Sequence, residues 1–285
     1  MPGVSVIHDQ SVRGARIQDS DARFVHEDFK GHFAKRSSAA NDGEPTGTAG
    51  DVNIRVGDRN CFEQHVLGTQ TILGPVRTSS GLNITQDLTA DDGIEYTLGN
   101  EQPANTVISN LAGATRGTFV VGTDPNFYFA LKFTLADVSG TDDCAAGWRK
   151  AEAYQANIDD YDEAAWLNVI AGAIKIETIL NNAATTTTDT TNTWTNTQTK
   201  TLMVIVDSDG SLSNDGTRGK VYFNIDGVKP TAEAASRYKF DVGEIVIPFF
   251  FFLNDTNIAE ATTLKQWQSG FLPVGETAQY QLGAA

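Results

Sequence analysis

Paired acids are the first residues of this sequence that suggest chemistry. Retaining glycosidases place two carboxyl groups roughly 5 Å apart across the bond that they cleave. The run Asp160-Tyr-Asp162-Glu163 is the nearest approach to such a pair. The E-x-D-x-x-E strand that jelly-roll glucanases often carry does not occur, so a solvated acidic loop is the simpler interpretation. We predict no catalytic residue, and no Asp/Glu pair facing across a groove in the folded body.

Nucleophilic and cofactor-dependent chemistry is equally unsupported. No G-x-S-x-G string occurs, and all four histidines precede residue 66, far along the chain from Cys144. No phosphate loop or dinucleotide fingerprint occurs, so no cofactor is predicted. The two cysteines, Cys61 and Cys144, either form one disulfide or remain buried thiols. Without a CxxC or Cys/His cluster, zinc is not predicted.

Oxygen-rich loops raise the question of calcium. Asp207-Ser-Asp209-Gly210 begins like a calcium loop but lacks the terminal Glu of an EF-hand. Asp142 with Asp143, and the acids between 159 and 163, are further candidates. The alternative is a turn in which Asp accepts hydrogen bonds from its own backbone. We predict no metal site.

An aromatic platform for sugar stacking would need an exposed Trp or Tyr side chain. Of the four tryptophans, Trp194 is the best candidate because its neighbours along the chain are polar. Packing between sheets or subunits is the alternative role for such a ring.

Composition and charge limit the partners. Hydrophobic residues make up 40% and charged residues 20%, which is typical of a globular chain. The net charge is −15; residues 1–60 carry 8 of the 21 Lys/Arg and 9 of the 36 Asp/Glu, leaving 13 and 27, or −14, for the rest. An acidic body repels nucleic acid. No apolar run reaches the roughly 18 residues of a membrane span, and the first residues lack the apolar region of a secretory signal.

Period-two alternation predicts an all-β body. In 127–135, Phe127, Phe129, Leu131 and Phe133 share one face. Further strands are predicted at 173–180, 202–206, 221–225, 244–253 and 264–272, and the Thr-rich stretch 191–201 is either a strand or a loop. Asp226-Gly227 predicts a hairpin turn, and 160–170 is the one short helical candidate. We predict an antiparallel two-sheet jelly-roll sandwich whose inward residues include the four named above and Ile247, Phe249 and Phe251.

The first 60 residues differ from the rest of the chain. They rarely show two consecutive apolar residues, so they cannot bury enough surface to fold alone. We predict an extended N-terminal arm at 1–60 and a jelly-roll domain at 61–285. Phe24, Phe29, Phe33 and Arg36 are the predicted anchors of this arm in an assembly; the alternative is a disordered tail without a partner.

Residues 127–253 resemble a known class of proteins. The stretch FYFALKFTLADVSGTDDCAAGWRKAEAYQANIDDYDE, followed by TLMVIVDSDG, KVYFNIDG and EIVIPFFFFL, is similar to structural proteins of tailed marine phages. The similarity covers about half of the chain and lies in the strand pattern and in the phrases DVSGTDDCAAGWRK and IDDYDE. It implies a concanavalin A-like (laminin G-like) jelly roll and no catalytic motif.

The resemblance also implies a function. It points to a non-enzymatic virion component, a capsid decoration protein on the capsid surface, whose partners are the major capsid protein and neighbouring copies of itself. A tail or fibre component is the less favoured virion role. The alternative from a different class is a glycan- or receptor-binding module, with Trp194 as its stacking residue. Neither function requires nucleic acid, a membrane or a cofactor.

Overall fold

The fold is built from β-strands. The computed structural model describes residues 25–27, 34–36, 52–56, 60–67, 76–78, 80–85, 93–97, 118–139, 141–234, 236–254 and 261–272. Within these ranges the only helical segment is a single 3-10 turn, Ile158–Asp160. No helix in the described part has the length and apolar character needed to span a bilayer.

The described residues form seventeen strands in two sheets, and every neighbouring pair of these strands is antiparallel. In chain order the described strands are β1 Val25–Glu27, β2 Ala34–Arg36, β3 Val52–Val56, β4 Asn60–Leu67, β5 Val76–Thr78, β6 Gly81–Thr85, β7 Gly93–Thr97, β8 Phe119–Val120, β9 Phe127–Leu135, β10 Thr141–Lys150, β11 Ala164–Ile170, β12 Ala173–Ile179, β13 Thr186–Thr193, β14 Thr199–Asp207, β15 Lys220–Ile225, β16 Ile245–Asn254 and β17 Ala261–Phe271.

The two sheets pack face to face as a sandwich. The seven-stranded sheet has the order β15-β14-β9-β17-β6-β5, with β1 also paired to β17. The ten-stranded sheet has the order β13-β12-β11-β10-β16-β7-β4-β3-β2, with β8 also paired to β16. The largest hydrophobic cluster contains residues of both sheets and therefore lies between them. The predicted antiparallel two-sheet sandwich is confirmed.

Strand β9 lies between β14 and β17 in the seven-stranded sheet and has the predicted alternation of apolar side chains. Phe127, Phe129, Leu131 and Phe133 all lie in the inter-sheet cluster with at most 1% of their surface exposed. Phe129 packs against Trp267, with ring centroids 4.4 Å apart. The inward set predicted for this strand is confirmed.

The face predicted for β16 is wrong. Val246, Phe250 and Phe252 point into the inter-sheet core, whereas Phe249 and Phe251 belong to a second cluster on the outer face of the ten-stranded sheet. Both faces of this strand are buried. A run of four phenylalanines buried on both sides carries no alternation, so its sequence cannot show which face is inside.

The helix predicted over 160–170 is also wrong. After the 3-10 turn the chain continues as β11, which pairs with β10 and β12. The Thr-rich stretch is divided between two elements, because β13 ends at Thr193 and β14 begins at Thr199. Both faces of β11 are buried, with Leu167 in the inter-sheet cluster and Trp166 in the outer one, and apolar residues on two faces imitate a helical pattern.

The Asp-Gly pair forms the predicted turn. Asp226 and Gly227 have φ values of 53° and 82°, and the N–H of Val228 donates to the carbonyl of Ile225 at 3.0 Å. Two consecutive positive φ values are the mark of a tight hairpin turn. Beyond the turn, Val228 forms an isolated bridge with Ile225, and the next described strand is β16.

Part of the predicted arm lies against the sheets of this chain. Strand β1 pairs with β17, and β2 and β3 extend the ten-stranded sheet beyond β4. Arg36 is the last residue of β2. Phe24, Phe29 and Phe33 lie outside the described residues. The division of the chain at residue 60 therefore stays a prediction.

Replacing Phe129 by Ala tests the inter-sheet core. We expect Phe129→Ala to lower the free energy of unfolding by roughly 3–5 kcal/mol, because it empties a buried aromatic site. Val242, which is 63% exposed, provides the control, and Val242→Ala should change stability by less than about 0.5 kcal/mol. Chemical denaturation followed by tryptophan fluorescence measures both. A loss below about 1 kcal/mol for Phe129→Ala would contradict this packing.

Candidate functional site

The outer face of the ten-stranded sheet is covered over part of its area. Ala145, Trp166, Phe249 and other apolar residues of this face form the second hydrophobic cluster. The segment 151–163 crosses above them and contributes Ile158 and Tyr161, which are at most 1% exposed. This segment, which we call the cover segment, removes an apolar strip of the sheet from water.

A buried ion pair lies beneath the cover segment. Arg149 of β10 donates from Nε to Oε1 of Glu95 of β7 at 2.6 Å, and both side chains are fully buried. The hydroxyl of Tyr161 donates to the other oxygen of Glu95. The guanidinium carbon lies 4.5 Å from the centre of the Tyr161 ring. The cation, the carboxylate and the phenol therefore fix one another.

The same arginine holds the start of the cover segment. Its Nη1 donates to the carbonyls of Lys150 and Glu152, at 3.0 and 3.2 Å. Burial opposes the charge of Arg149, but the adjacent Glu95 carboxylate more than offsets it, and the pKa of Arg149 rises above its ordinary value. Burial raises the pKa of Tyr161 as well, so that this phenol remains a donor.

A polar pocket opens where the cover segment ends. Its volume is about 590 Å³, and it lies over strands β10 to β13. Trp166, Glu177 and Thr187 stand in one row across three neighbouring strands, which places Glu177 in the floor. The described lining is formed by acids, an amide, hydroxyls and two small apolar patches: Asp143, Asn157, Asp159, Ile170, Glu177, Ala184, Thr185 and Thr187.

Asn168 organises the floor of this pocket. It is fully buried, and its Nδ2 donates to Oδ1 of Asp143 at 2.5 Å and to Oε2 of Glu177 at 2.7 Å. Glu177 also accepts from the indole Nε1 of Trp166 at 2.9 Å and from the hydroxyl of Thr187 at 3.2 Å. Oδ1 of Asn168 accepts from the backbone N–H of Cys144 at 2.9 Å. The floor is a closed network of hydrogen bonds.

The network brings two carboxylates together, which the sequence analysis did not expect. Both accept from one nitrogen, so the accepting oxygens of Asp143 and Glu177 lie within roughly 5 Å of each other, a separation used by retaining glycosidases. Glu177 is 6% exposed. The prediction concerned a pair that faces across a groove, whereas these two carboxylates line one pocket and share an amide donor, so it stays a prediction. The amide of Asn168 bridges the pair, however, and occupies the position between the two oxygens.

Trp194 is not a stacking platform. Its ring is 1% exposed and packs on Phe133, with centroids 4.6 Å apart, while its Nε1 donates to the carbonyl of Gln198 at 3.2 Å. A buried ring offers no face to a sugar, so the role predicted for Trp194 is wrong. The polar residues around it lie in the turn between β13 and β14, and the indole fills the core beneath them.

The acidic side chains between residues 159 and 163 make different contacts. Asp159 accepts from the hydroxyl of Thr185 at 2.5 Å in the wall of the polar pocket. Asp162 forms an ion pair with Lys150 at 2.6 Å, and Glu163 is buried, where desolvation raises its pKa to about 7. No group of three His, Cys, Asp or Glu side chains able to hold a metal ion occurs among the described residues.

A second cavity lies at the side of the sandwich. Its volume is about 370 Å³, and its inner wall is formed by Ile176 and Phe223 from the two sheets. Arg237 at its rim is already engaged, with Glu233 at 3.2 Å and with the ring of Tyr222 at 4.4 Å. Most of the surface of this cavity is apolar, whereas most of the surface of the polar pocket is polar.

Comparisons with known proteins yield fold-level likeness only. No protein-family model and no curated protein matches the sequence. A protein of unknown function from Shewanella oneidensis MR-1 has a TM-score of 0.48 at 11% identity, covering 94% of this chain and 95% of that one. A legume lectin-like domain from Entamoeba histolytica has a TM-score of 0.47 at 9% identity, covering 75% and 91%. A carbohydrate-binding module from Bacillus subtilis has a TM-score of 0.40 at 10% identity, covering 72% and 94%.

Sequence reasoning missed the pocket floor. Asn168 interrupts an apolar strand, AAWLNVI, whereas Glu177 lies at a polar position of the alternating strand AIKIETI. A polar residue within a buried strand needs a hydrogen-bond partner, so Asn168 was a usable signal. Which partners the two residues find depends on the register between β11 and β12, which the sequence does not show.

Breaking the buried ion pair tests how the pocket wall is held. Arg149→Met should cost roughly 3–5 kcal/mol of unfolding free energy, because it leaves the Glu95 carboxylate buried without its cation. Lys200→Met breaks the surface pair with Asp226 and should cost at most about 1 kcal/mol. Urea denaturation measures both. Equal losses for the two variants would show that the Arg149 pair does not anchor the cover segment.

Proposed function

We propose that this protein is a non-enzymatic binding protein that takes a neutral glycan in the polar pocket. The observation that carries the proposal is the lining of the pocket. Asp143, Asp159 and Glu177 provide acceptors, and Asn157, Thr185 and Thr187 provide an amide and two hydroxyls. Sugar hydroxyl groups both donate and accept, and this lining offers them both kinds of partner.

Charge selects among ligands. Three carboxylates line the described part of the pocket, and the whole chain carries −15. Anionic sugars and phosphates are repelled by such a field. Neutral hydroxyl groups instead form charge-assisted hydrogen bonds to carboxylates, which are stronger than neutral ones. The apolar surfaces of Ile170 and Ala184 can contact the C–H face of a sugar ring. The volume of about 590 Å³ falls within the ~300–1,000 Å³ typical of small-ligand sites.

The bridging amide favours binding over turnover. In a retaining glycosidase the scissile bond lies between the two carboxyl groups, and one of these must present a proton. Here Asp143 and Glu177 both accept from Nδ2 of Asn168, so the space between those two oxygens is taken. This arrangement supports a site that holds a glycan without cleaving it.

Two nearly isosteric substitutions test the proposal. Thr187→Val and Thr185→Val remove one pocket hydroxyl each, and each should weaken binding of a neutral oligosaccharide by about tenfold, the effect of one lost hydrogen bond. A neutral-oligosaccharide array selects the probe, and isothermal titration calorimetry measures its Kd. Thr193→Val is the matched control, since Thr193 is exposed on the same strand but does not line the pocket.

Two outcomes would contradict this function. If the protein bound none of the neutral oligosaccharides on the array, the proposal that the pocket takes a neutral glycan would be wrong. Release of reducing sugar from a bound oligosaccharide, lost in Glu177→Gln, would make the protein a glycoside hydrolase.

We also propose the virion role that the resemblance implies. In this proposal the protein decorates a capsid surface and contacts the major capsid protein and neighbouring copies of itself. The observation that favours it is that β1 and β2, three residues each, lie at sheet positions where a short strand is added to a longer one. Such strands can be supplied by another copy as well as by the same chain.

Deleting residues 1–40 removes both short strands and tests the assembly proposal. We expect a soluble, folded body that no longer co-sediments with the particle, since β9, β10, β14 and β16 retain their partners. Near-UV circular dichroism checks the fold. Unchanged incorporation of the truncated protein would make the arm dispensable for assembly.

A further inference from the structure

The second cavity, which we call the side cavity, lies at an open edge of the sandwich. Strands β13 and β15 stand at the ends of their sheets. Ile176 of β12 and Phe223 of β15 form the inner wall, and both belong to the inter-sheet cluster. The cavity therefore lies on the inner face of these strands, whereas Glu177 of the polar pocket belongs to the outer face of β12. Ala184 borders both spaces.

Residues 229–234 and 236–239, which we call the strap, cross this open edge. Tyr238 ties the strap to both sheets. Its carbonyl accepts from the backbone N–H of Val221 of β15 at 3.0 Å, and its hydroxyl donates to the carbonyl of Ile179 of β12 at 2.7 Å. The strap is thus a fixed outer wall, and the cavity is enclosed between it and the edges of the two sheets.

The interior of the side cavity suits a hydrocarbon chain. Most of its surface is apolar, and Leu180, which is 37% exposed, stands among its lining residues. Its volume is about 370 Å³. A cavity of about 150 Å³ lined by apolar residues stays dry and takes up benzene, so the side cavity has room for a longer apolar group. Moving methylene groups from water into such a space is favourable.

The rim of the side cavity is positively charged, although the whole chain carries −15. Arg237 and Lys239 line the cavity, and Glu233 is the one acid among its described lining residues. Two cations hold that acid, Lys229 at 2.8 Å and Arg237 at 3.2 Å. Lys239 is exposed and forms no ion pair in the described part of the chain. The rim therefore attracts an anion.

The apolar interior and the cationic rim together select the ligand. A purely apolar molecule leaves Lys239 unused, and a small inorganic anion leaves the apolar wall unfilled. One negative charge is enough for Lys239, because Arg237 is already engaged by Glu233. A single carboxylate at the end of a hydrocarbon chain meets both requirements, and a charged partner strengthens its hydrogen bonds.

We propose that the side cavity binds an aliphatic carboxylate, with its chain between Ile176 and Phe223 and its head group at Lys239. The ligand joins the strap to both sheets and closes the open edge of the core. This proposal does not rest on the glycan function, since the two sites lie on opposite faces of β12 and differ in the sign of their charge.

Titration of the full-length protein with sodium octanoate at pH 7 tests the site by calorimetry. We expect saturable binding of one octanoate with a Kd on the order of 0.1 mM, the scale for a ligand of ten non-hydrogen atoms. Acetate, which keeps the head group without the chain, should not bind. 1-Octanol, which keeps the chain without the charge, should bind about fivefold more weakly, the scale of one partly exposed ion pair.

Matched variants assign the binding to the cavity. Lys239→Gln should raise the Kd of octanoate about fivefold and leave that of 1-octanol unchanged. The control is Lys132→Gln, since Lys132 is also exposed but lies on β9 and does not line the cavity. Thr186→Trp should weaken both ligands at least about tenfold, because Thr186 is an exposed lining residue whose larger side chain fills the space. A tryptophan suits a strand position, so this variant should fold.

Three results would overturn the proposal: no binding of octanoate, octanoate binding that Thr186→Trp leaves unchanged, or equal affinity for octanoate and 1-octanol. Thr187→Val, which alters the polar pocket, should leave octanoate binding unchanged. Failure of the glycan proposal and failure of this one are therefore seen in different variants.

Discussion

The structure depends on burying both faces of the ten-stranded sheet at its centre. Strands β10 and β16 pair over nine positions and are buried on both faces over most of their length, so one opposing sheet cannot cover them. The seven-stranded sheet covers the inner face, and the cover segment 151–163 covers the outer face. Arg149 makes this second layer stable, because it joins Glu95 on the sheet to Tyr161 and two carbonyls of the segment. A flexible segment alone would not exclude water from Phe249 and Phe251.

The polar pocket forms where the cover segment no longer covers the outer face of the ten-stranded sheet. Beyond the cover segment the outer face of β10 to β13 must meet water, and its residues become polar. Glu177 lines the pocket, Asn168 lies fully buried beside it, and their hydrogen bonds form a closed network. A closed network is rigid, and a rigid set of donors and acceptors is what a hydroxylated ligand requires. The pocket is thus a consequence of how the sheet is covered.

Sequence reasoning succeeded where large apolar residues alternate with more polar or smaller ones and failed where large apolar residues occupy both faces. The alternation in β9 and the Asp226-Gly227 turn are local signals, and both predictions were confirmed. For β16 and β11, apolar residues on both faces erase the period, so one face was reversed and one strand was taken for a helix. Trp194 was misjudged because its polar sequence neighbours face solvent while its ring turns inward. The pocket floor could not be predicted, because Asp143, Asn168 and Glu177 meet only through strand register.

Binding at the polar pocket is the central claim, and side-chain NMR tests it most directly. A ¹⁵N-labelled sample is titrated with a neutral oligosaccharide, and the amide signals of Asn157 and Asn168 are followed together with the backbone signals of Thr185 and Thr187. These four residues line or underlie the pocket, and we predict that their signals shift saturably with one common Kd, while that of Asn192, outside the pocket, stays in place. Saturable shifts confined to another surface, or no shift at all, would contradict the account.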